Sequence, residues 1–348
     1  MKRRDFLRTA SAGLASPMIF GLTAQQAAAQ QSTLRLHQFQ PPVATIAAKV
    51  LKPWTENVAA ASDGNLKIQQ FDSMALGGRP PELLDQARDG AVDIAMTVVG
   101  YTPGRFPRSE AFELPFMMNG VVETCLAFQQ MIEDELQEGE FKDVKILSGF
   151  VHGPGVIHSS KPVAKLEDMK NRKLRAPTRV INAMVDKLGA TAVGMPLPSI
   201  PEALTKGVID GTVLPWETTP SIRLSELVTN HTEFAGNEAL YTATVVVAMN
   251  KAKYNSLPGE LKAVLDAESG AKLSALGGRE MAAADGPGRA IAEARGNSIT
   301  TIEGPELARW KEAAHTVVAD WIAEMDAKGI DGAALVEKAK ALIAAKSA

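Results

Sequence analysis

Residues 33–71 read TLRLHQFQPPVATIAAKVLKPWTENVAAASDGNLKIQQF, and this stretch decides the fold class. Residues 33–37 and 65–71 alternate apolar and polar side chains, which is the period of a half-buried β-strand. Between them, residues 44–62 carry apolar side chains at helical spacing. The order strand, helix, strand predicts an α/β layer, in which helices cover a sheet.

The same alternation continues along the chain. Residues 80–90 predict a helix that begins at a proline pair and ends at Gly90, and the apolar run 91–96 predicts a buried strand. Further predicted elements are a strand at 173–177, helices at 180–188 and 199–206, a strand at 243–249, and a helical stretch from 258 toward 296 with a kink at 285–288. This last stretch is long enough to span two lobes.

The length of the chain favours two domains. Without the first 29 residues about 320 remain, which is more than one hydrophobic core usually covers. We expect a first lobe over residues 30–152, to which 243–282 return, and a second lobe over 153–242, to which 283–348 return. There is no repeat and no low-complexity linker, so short chain crossings are expected to connect the lobes.

Residues 1–29 are interpreted as a twin-arginine signal peptide. Arg3 and Arg4 precede a weakly apolar run, and three alanines at 27–29 supply a cleavage site. The run is too short and too polar for a good membrane-spanning helix. A surface helix with two arginines is the alternative. The interpretation predicts export by the twin-arginine pathway and a mature periplasmic protein that begins near Gln30.

Composition excludes several classes of function. The formal net charge is −3 for the whole chain and, because residues 1–29 carry four basic and one acidic side chain, −6 for the remainder. An acidic surface does not suit nucleic acid. The single cysteine, Cys125, lies in an apolar helical segment and is expected to be buried and unbonded. The five histidines do not cluster with acids, so neither a metal nor a cofactor is expected.

Candidate binding chemistry centres on Arg175. The sequence has no nucleophile elbow, phosphate-binding loop, dinucleotide fingerprint or His-Glu-x-x-His motif. Arg175 lies at the end of a predicted strand, where open α/β sheets bind ligands. Its guanidinium can bind a carboxylate through two parallel hydrogen bonds. Taken alone, an exposed arginine in a salt bridge is the more common explanation.

Several short motifs follow one another in a definite order along nearly the whole chain after the leader. They are FDSMALG at 71–77, GAVDIA at 90–95, ELPF at 113–116, SKP at 160–162, LEDMK at 166–170, KLRAP at 173–177, LGA at 188–190, ALTKGVIDG at 203–211, NK at 250–251 and LP at 257–258. In this order and spacing the chain resembles the solute-binding proteins of tripartite ATP-independent periplasmic (TRAP) transporters, of the dicarboxylate-binding-protein kind. Each motif alone is weak, and the ordered set carries the resemblance.

The resemblance implies a two-lobe periplasmic binding protein fold with a ligand cleft between the lobes. It implies that the protein captures a small organic acid and delivers it to the small and large membrane subunits of a TRAP transporter. It further implies that Arg175 forms a salt bridge with the carboxylate of the ligand. Two positions depart from members that bind sialic acid, because Gly155 replaces a second arginine and Leu214 lies near an expected asparagine. These departures favour a less polar ligand, such as an aromatic or 2-oxo monocarboxylate.

The other candidate ligand contacts are wall positions and a second polar group. The expected walls are Phe39, Tyr101, Leu197, Leu214, Pro215, Trp216 and Tyr241, with Trp216 favoured, and the polar candidates are Arg105 and His152. Two alternatives are a periplasmic enzyme exported by the twin-arginine pathway and the binding component of an ABC importer or of a sensor. The missing cofactor motifs argue against the enzyme, so a protein without catalytic activity is expected.

Overall fold

The computed structural model describes residues 31–347, and the predicted leader at 1–29 lies outside them. The strands are β1 (Ser32–Gln38), β2 (Leu66–Phe71), β3 (Ile94–Val98), β4 (Val144–Val151), β5 (Gly155–Ser159), β6 (Lys173–Ala176), β7 (Thr191–Gly194), β8 (Gly211–Pro215), β9 (Asn230–Phe234), β10 (Thr244–Asn250) and β11 (Ser298–Ile302). The α-helices are α1 (Lys52–Ala61), α2 (Leu83–Arg88), α3 (Val121–Met131), α4 (Arg179–Lys187), α5 (Ile200–Thr205), α6 (Leu224–Leu227), α7 (Lys251–Ser256), α8 (Gly259–Glu268), α9 (Gly270–Ala294), α10 (Gly304–Ala327) and α11 (Gly332–Lys346). None of these helices combines the length and the apolarity that crossing a membrane requires.

The first sheet has the strand order β2-β1-β3-β10-β4. Strand β1 pairs in parallel with β2 and β3, while β10 returns from far along the chain and pairs antiparallel with β3 and β4. The alternation seen in the sequence places Leu34 and Leu36 in the core and Thr33 and Arg35 at the exposed surface. We call this sheet and the helices packed on it the first lobe.

The second sheet has the order β11-β9-β5-β8-β6-β7. Strand β6 pairs in parallel with β7 and β8, and β5 pairs antiparallel with β8 and β9. This sheet and its helices form the second lobe. Because β6 and β8 run in parallel, their carboxyl ends open at the same edge of the sheet.

Helix α9 contacts both lobes. It packs on α3 and β4 of the first lobe and on the 3₁₀ segment Trp216–Ile222 of the second. Close packing depends on glycines: a Cβ at Gly278 would lie 2.8 Å from Cα of Val122, and one at Gly288 would lie 2.3 Å from the carbonyl oxygen of Trp216. The expectation of a long helix that reaches both lobes therefore matches α9.

Most predicted elements are observed, but the long helical stretch is divided differently. It consists of α8 and α9, and the break falls at Ser269 and Gly270 rather than at 285–288. Ser269 has extended backbone angles and Gly270 has a φ of +54°, a conformation that favours glycine. Helix α9 continues through Pro287. The predicted single stretch is therefore two helices, because a backbone turn at Ser269 and Gly270 ends the first of them. The kink expected at 285–288 stays a prediction.

The chain crosses from one lobe to the other more than twice. Strand β10 belongs to the first sheet and β11 to the second. Helix α10 packs on α4 of the second lobe, whereas α11 packs on α3 of the first lobe. The lobe boundaries proposed from the sequence stay a prediction, and any such division has to place α11 beside the first lobe.

Cys125 lies in α3 and is buried and free. Burial raises the pKa of its thiol to about 12. The expectation of a small buried side chain is thus confirmed.

Candidate ligand-binding site

A cavity lies between the two sheets and holds about 450 Å³ of space, counting its open mouth. Most of its lining is apolar, and those residues are Phe39, Ile46, Met96, Val98, Pro177, Leu197, Leu214, Pro215, Ala243 and Val245. The polar lining residues are Gln40, Tyr101, His152, Arg175, Glu217, Thr218 and Tyr241. The lining comes from the carboxyl ends of β1, β3, β6 and β8, which is where α/β sheets bind ligands.

Arg175 is the only arginine that lines this cavity among residues 31–347. It lies in β6 and is 1% exposed. Its Nε donates to the carbonyl oxygen of Met195 at 2.8 Å, and Nη1 donates to that of Val213 at 3.4 Å. It forms no ion pair with any acidic side chain of the described chain. Burial lowers the pKa of Arg175, yet an arginine stays charged, so its positive charge lacks an internal partner.

Two tyrosines, Tyr101 and Tyr241, line the same cavity as this guanidinium. The hydroxyl oxygen of Tyr101 accepts a hydrogen bond from the backbone N–H of Leu197 at 3.0 Å. The hydroxyl of Tyr241 is buried and has no hydrogen-bond partner within residues 31–347. Burial raises the pKa of both phenols, and the charge of Arg175 opposes the rise in both. The two phenols are therefore neutral donors near a fixed positive charge.

His152 packs edge-on to the ring of Tyr241, with ring centroids 5.2 Å apart. Burial lowers its pKa to about 4, so the imidazole is neutral at pH 7. Its Nδ1 lies 2.6 Å from the carbonyl oxygen of Gly153, which accepts the proton on that nitrogen. The neutral ring leaves Nε2 as an acceptor.

Three polar lining residues were missed by the sequence analysis: Gln40, Glu217 and Thr218. Glu217 is buried, which raises its pKa to about 7, and it accepts a hydrogen bond from the hydroxyl of Thr218. Its backbone N–H donates to Asp285 of α9 at 2.9 Å. Their position in the sequence could have indicated that Glu217 and Thr218 belong to the site, because both follow the end of a strand at the same sheet edge as Arg175.

Three predicted site residues lie outside the cavity lining. Trp216 points its indole toward His158 and His231, with ring centroids 4.9 Å away in each case, and its Nε1 donates to Glu233 at 2.7 Å. Trp216 begins the 3₁₀ segment after β8, and its indole packs against β5 and β9 instead of lining this cavity. Its expected role as the principal wall stays a prediction, and the cavity lining gives it no support.

Gly155 and Arg105 also lie outside this lining, for different reasons, and their expected contact with ligand stays a prediction. A Cβ at Gly155 would lie 2.1 Å from Cε1 of Tyr241, so this glycine leaves room for a tyrosine ring rather than for ligand. Arg105 pairs with Asp85 at 2.6 Å and covers the ring of Phe106 on the outside of the first lobe. By contrast, the remaining predicted residues do line the cavity: Phe39, Tyr101, His152, Arg175, Leu197, Leu214, Pro215 and Tyr241.

Polar contacts join the lobes next to the cavity. Thr178 of the second lobe donates its hydroxyl proton to Oε2 of Glu113 at 2.6 Å, and Thr244 of the first lobe donates to Oε1 through N at 3.0 Å and through Oγ1 at 2.8 Å. Arg179 forms an ion pair with Glu110 of the first lobe. Both contacts follow Arg175 within four residues, so one short segment supplies the arginine of the cavity and these contacts between the lobes.

No group of three or more histidine, cysteine, aspartate or glutamate side chains within residues 31–347 has the arrangement of a metal site. The polar groups of the cavity instead suit a small organic anion.

Residues 38–324 match the family described as bacterial extracellular solute-binding protein, family 7. The chain belongs to this family. Solved relatives share its two-lobe fold, and the resemblance to TRAP solute-binding proteins is confirmed. One, a marine metagenome TRAP solute-binding protein from an unidentified microbe, is 45% identical with a TM-score of 0.89, and the match covers 91% of this chain and 100% of that one. Its structure contains metahydroxyphenylacetate, and that protein is described as specific for aromatic acid ligands.

Two further relatives are informative. A TRAP solute-binding protein from Rhodoferax ferrireducens T118, solved with copurified benzoate, is 44% identical with a TM-score of 0.89, and the match covers 91% of this chain and 99% of that one. The outer membrane transporter protein TsaT of Comamonas testosteroni is 25% identical over 245 residues, which is 70% of this chain and 71% of that protein.

Proposed function

We propose that this protein captures an aromatic monocarboxylate outside the cytoplasm and delivers it to the membrane subunits of a TRAP transporter. The proposal is carried by one observation: the buried guanidinium of Arg175 faces an apolar cavity and has no carboxylate partner in the described chain. A buried charge without a counter-ion costs several kcal/mol, so a ligand carboxylate at this position stabilises the form in which the lobes enclose it.

The apolar walls support a ring as the other half of the ligand. Side chains such as Phe39, Met96 and Leu214 offer no hydrogen bonds to a polyhydroxylated sugar acid. The aromatic acids bound by the two solved relatives at 44–45% identity support the same choice. A 2-oxo monocarboxylate also presents one carboxylate and a short apolar body, so it belongs in the test.

Isothermal titration calorimetry of the mature protein tests the proposal. Benzoate and 3-hydroxybenzoate are compared with pyruvate, succinate and galactonate. We expect the aromatic acids to bind most tightly. Arg175→Ala should weaken them about 30-fold or more, because truncating one partner of a buried charge pair costs about 2–5 kcal/mol. Arg105→Ala is the matched control, since Arg105 lies outside the cavity, and its affinity is expected to equal that of the wild type. Tight binding that survives Arg175→Ala would overturn the assignment.

We also propose that binding occurs without chemical change and that residues 1–29 direct export by the twin-arginine pathway. The first part predicts that bound acid is recovered unaltered by mass spectrometry after prolonged incubation. The second predicts that Arg3→Lys together with Arg4→Lys retains the precursor in the cytoplasm, whereas Lys2→Arg leaves export intact. Periplasmic accumulation of the double variant contradicts the twin-arginine route without affecting the ligand proposal.

A further inference from the structure

We infer that the hydroxyl of Tyr241 is a second hydrogen-bond donor to the ligand carboxylate, beside Arg175, and that Gly155 fixes its position. This inference rests on the proposed function, because it names how the carboxylate end of the same ligand is held. It distinguishes Tyr241 from the apolar walls of the cavity.

The hydroxyl of Tyr241 is a buried polar group without a partner. The side chain is 1% exposed and lines the cavity, and its oxygen has no hydrogen bond to any described residue. A buried tyrosine hydroxyl is usually hydrogen-bonded, since leaving it unpaired costs the desolvation of the group. A ligand atom in the cavity is the partner that this hydroxyl lacks.

The donor count at Arg175 indicates which ligand atom that is. Nε and one hydrogen of Nη1 are already used by the carbonyl oxygens of Met195 and Val213, and the phenol oxygen of Tyr101 lies within reach of the same guanidinium. The remaining hydrogens on Nη1 and Nη2 can form one end-on fork, which gives each carboxylate oxygen one hydrogen bond. A carboxylate has about four acceptor sites, so in a buried cavity it needs at least one further donor.

Tyr241 offers a free donor in the cavity that Arg175 lines. Tyr101 lines the same cavity, and the charge of Arg175 opposes the rise in the pKa of both phenols. The oxygen of Tyr101 already accepts the backbone N–H of Leu197 and keeps its own proton to donate, whereas the hydroxyl of Tyr241 has no partner in residues 31–347. A hydroxyl near the guanidinium meets the carboxylate rather than the far side of an aromatic ring.

Packing around the ring fixes where the hydroxyl points. A Cβ at position 155 would lie 2.1 Å from Cε1, 2.3 Å from Cδ1 and 2.8 Å from Cζ of Tyr241, so the ring lies directly on the backbone of Gly155. His152 meets the same ring edge-on at an interplanar angle of 88°. Gly155 is thus a positioning residue, since it touches the ring and not the ligand cavity.

Calorimetry with Tyr241→Phe tests the inference. Because a hydrogen bond to a charged group contributes strongly to binding, we expect the affinity for benzoate to fall about 10-fold to 100-fold. The affinity for 3-hydroxybenzoate should fall by the same factor. Equal loss for both acids is the signature of a bond to the carboxylate, because only the second acid has a ring hydroxyl. Tyr254→Phe is the matched control, since Tyr254 is bonded to Asp266 far from the cavity, and it should leave both affinities unchanged.

Gly155→Ala supplies the positioning test. We expect it to weaken both acids in the wild-type background and to add little further loss in the Tyr241→Phe background. If Tyr241→Phe binds both acids within twofold of the wild type, or loses only 3-hydroxybenzoate, the inference is overturned while the proposed function stands. If the wild type binds neither acid, or Arg175→Ala keeps its affinity, the proposed function fails and the inference fails with it.

Discussion

Glu113→Gln is expected to remove one specific pH dependence from this protein. Glu113 is 1% exposed and accepts three hydrogen bonds, one from Thr178 across the lobes and two from Thr244. Burial raises the pKa of its carboxyl from 4.5 to about 7. The substitution is nearly isosteric: the amide oxygen can accept both bonds from Thr244, and the hydroxyl of Thr178 can turn to accept from the amide nitrogen.

The direction and size of this pH dependence follow from the linkage between proton binding at Glu113 and folding. Because the folded protein holds the Glu113 proton up to about pH 7 while the unfolded chain releases it near 4.5, this group's stabilisation is complete below pH 4.5 and is lost as pH rises through 7. A difference of about 2.5 pH units corresponds to about 3 kcal/mol. The glutamine variant lacks this loss. Relative to the wild type it should be about equally stable at pH 4 and gain about 3 kcal/mol by pH 9.

Urea unfolding at pH 4, 5, 7 and 9 measures this difference, and the pair of measurements at pH 4 is the internal control. Thr178 lies in the second lobe, so opening of the lobes would hydrate Glu113 and return its pKa toward the ordinary value. Ligand affinity of the wild type should therefore fall as pH rises through 7, and that of Glu113→Gln should stay flat. A stability difference that is constant within about 0.5 kcal/mol from pH 5 to 9 would refute the reasoning.

Three other outcomes are expected. Burial lowers the pKa of His158 to about 3 and that of His231 to about 4, so both histidines stabilise the fold above pH 6.5 and lose this effect as pH falls toward 4. Nitrogen-15 NMR should find both rings neutral at pH 5, and a charged ring at that pH contradicts the prediction. Gly288→Ala places a methyl 2.3 Å from a backbone oxygen and should cost about 1–3 kcal/mol in urea unfolding, whereas Gly286→Ala, with open space around it, should not destabilise. Arg179→Ala removes a mostly buried ion pair between the lobes and should weaken calorimetric affinity for all ligands by one common factor, about fivefold. A change in selectivity would contradict this.

Local patterns predicted the elements of the fold well. The alternation around Leu34 and Leu36 and the β-branched run at 243–249 decide strands through side chains that are adjacent in sequence. The break at Gly270 was missed because a proline inside a helix is a stronger signal in sequence than a serine and a glycine, although α9 accommodates Pro287. Backbone conformation at Gly270 depends on packing that the sequence does not display.

The candidate site was predicted in part for a similar reason. Arg175 could be found because its position at the end of a strand is a local property. Whether Trp216 faces inward or outward depends on how the 3₁₀ segment after β8 packs against His158 and His231, which are not close to it in sequence. The role of Gly155 depends on Tyr241, 86 positions later, and no local pattern joins them.

The concealed thiol in α3 has a practical consequence for spectroscopy. Cys125 is the sole cysteine of the chain, and with no exposed surface and a strongly raised pKa it resists thiol-reactive labels. Cysteines introduced at Val43 and Val208, which are 74% and 49% exposed, would accept spin labels without prior removal of the native residue. One doubly labelled sample would then report the separation between the halves of the molecule, with and without an aromatic acid, free of any background signal.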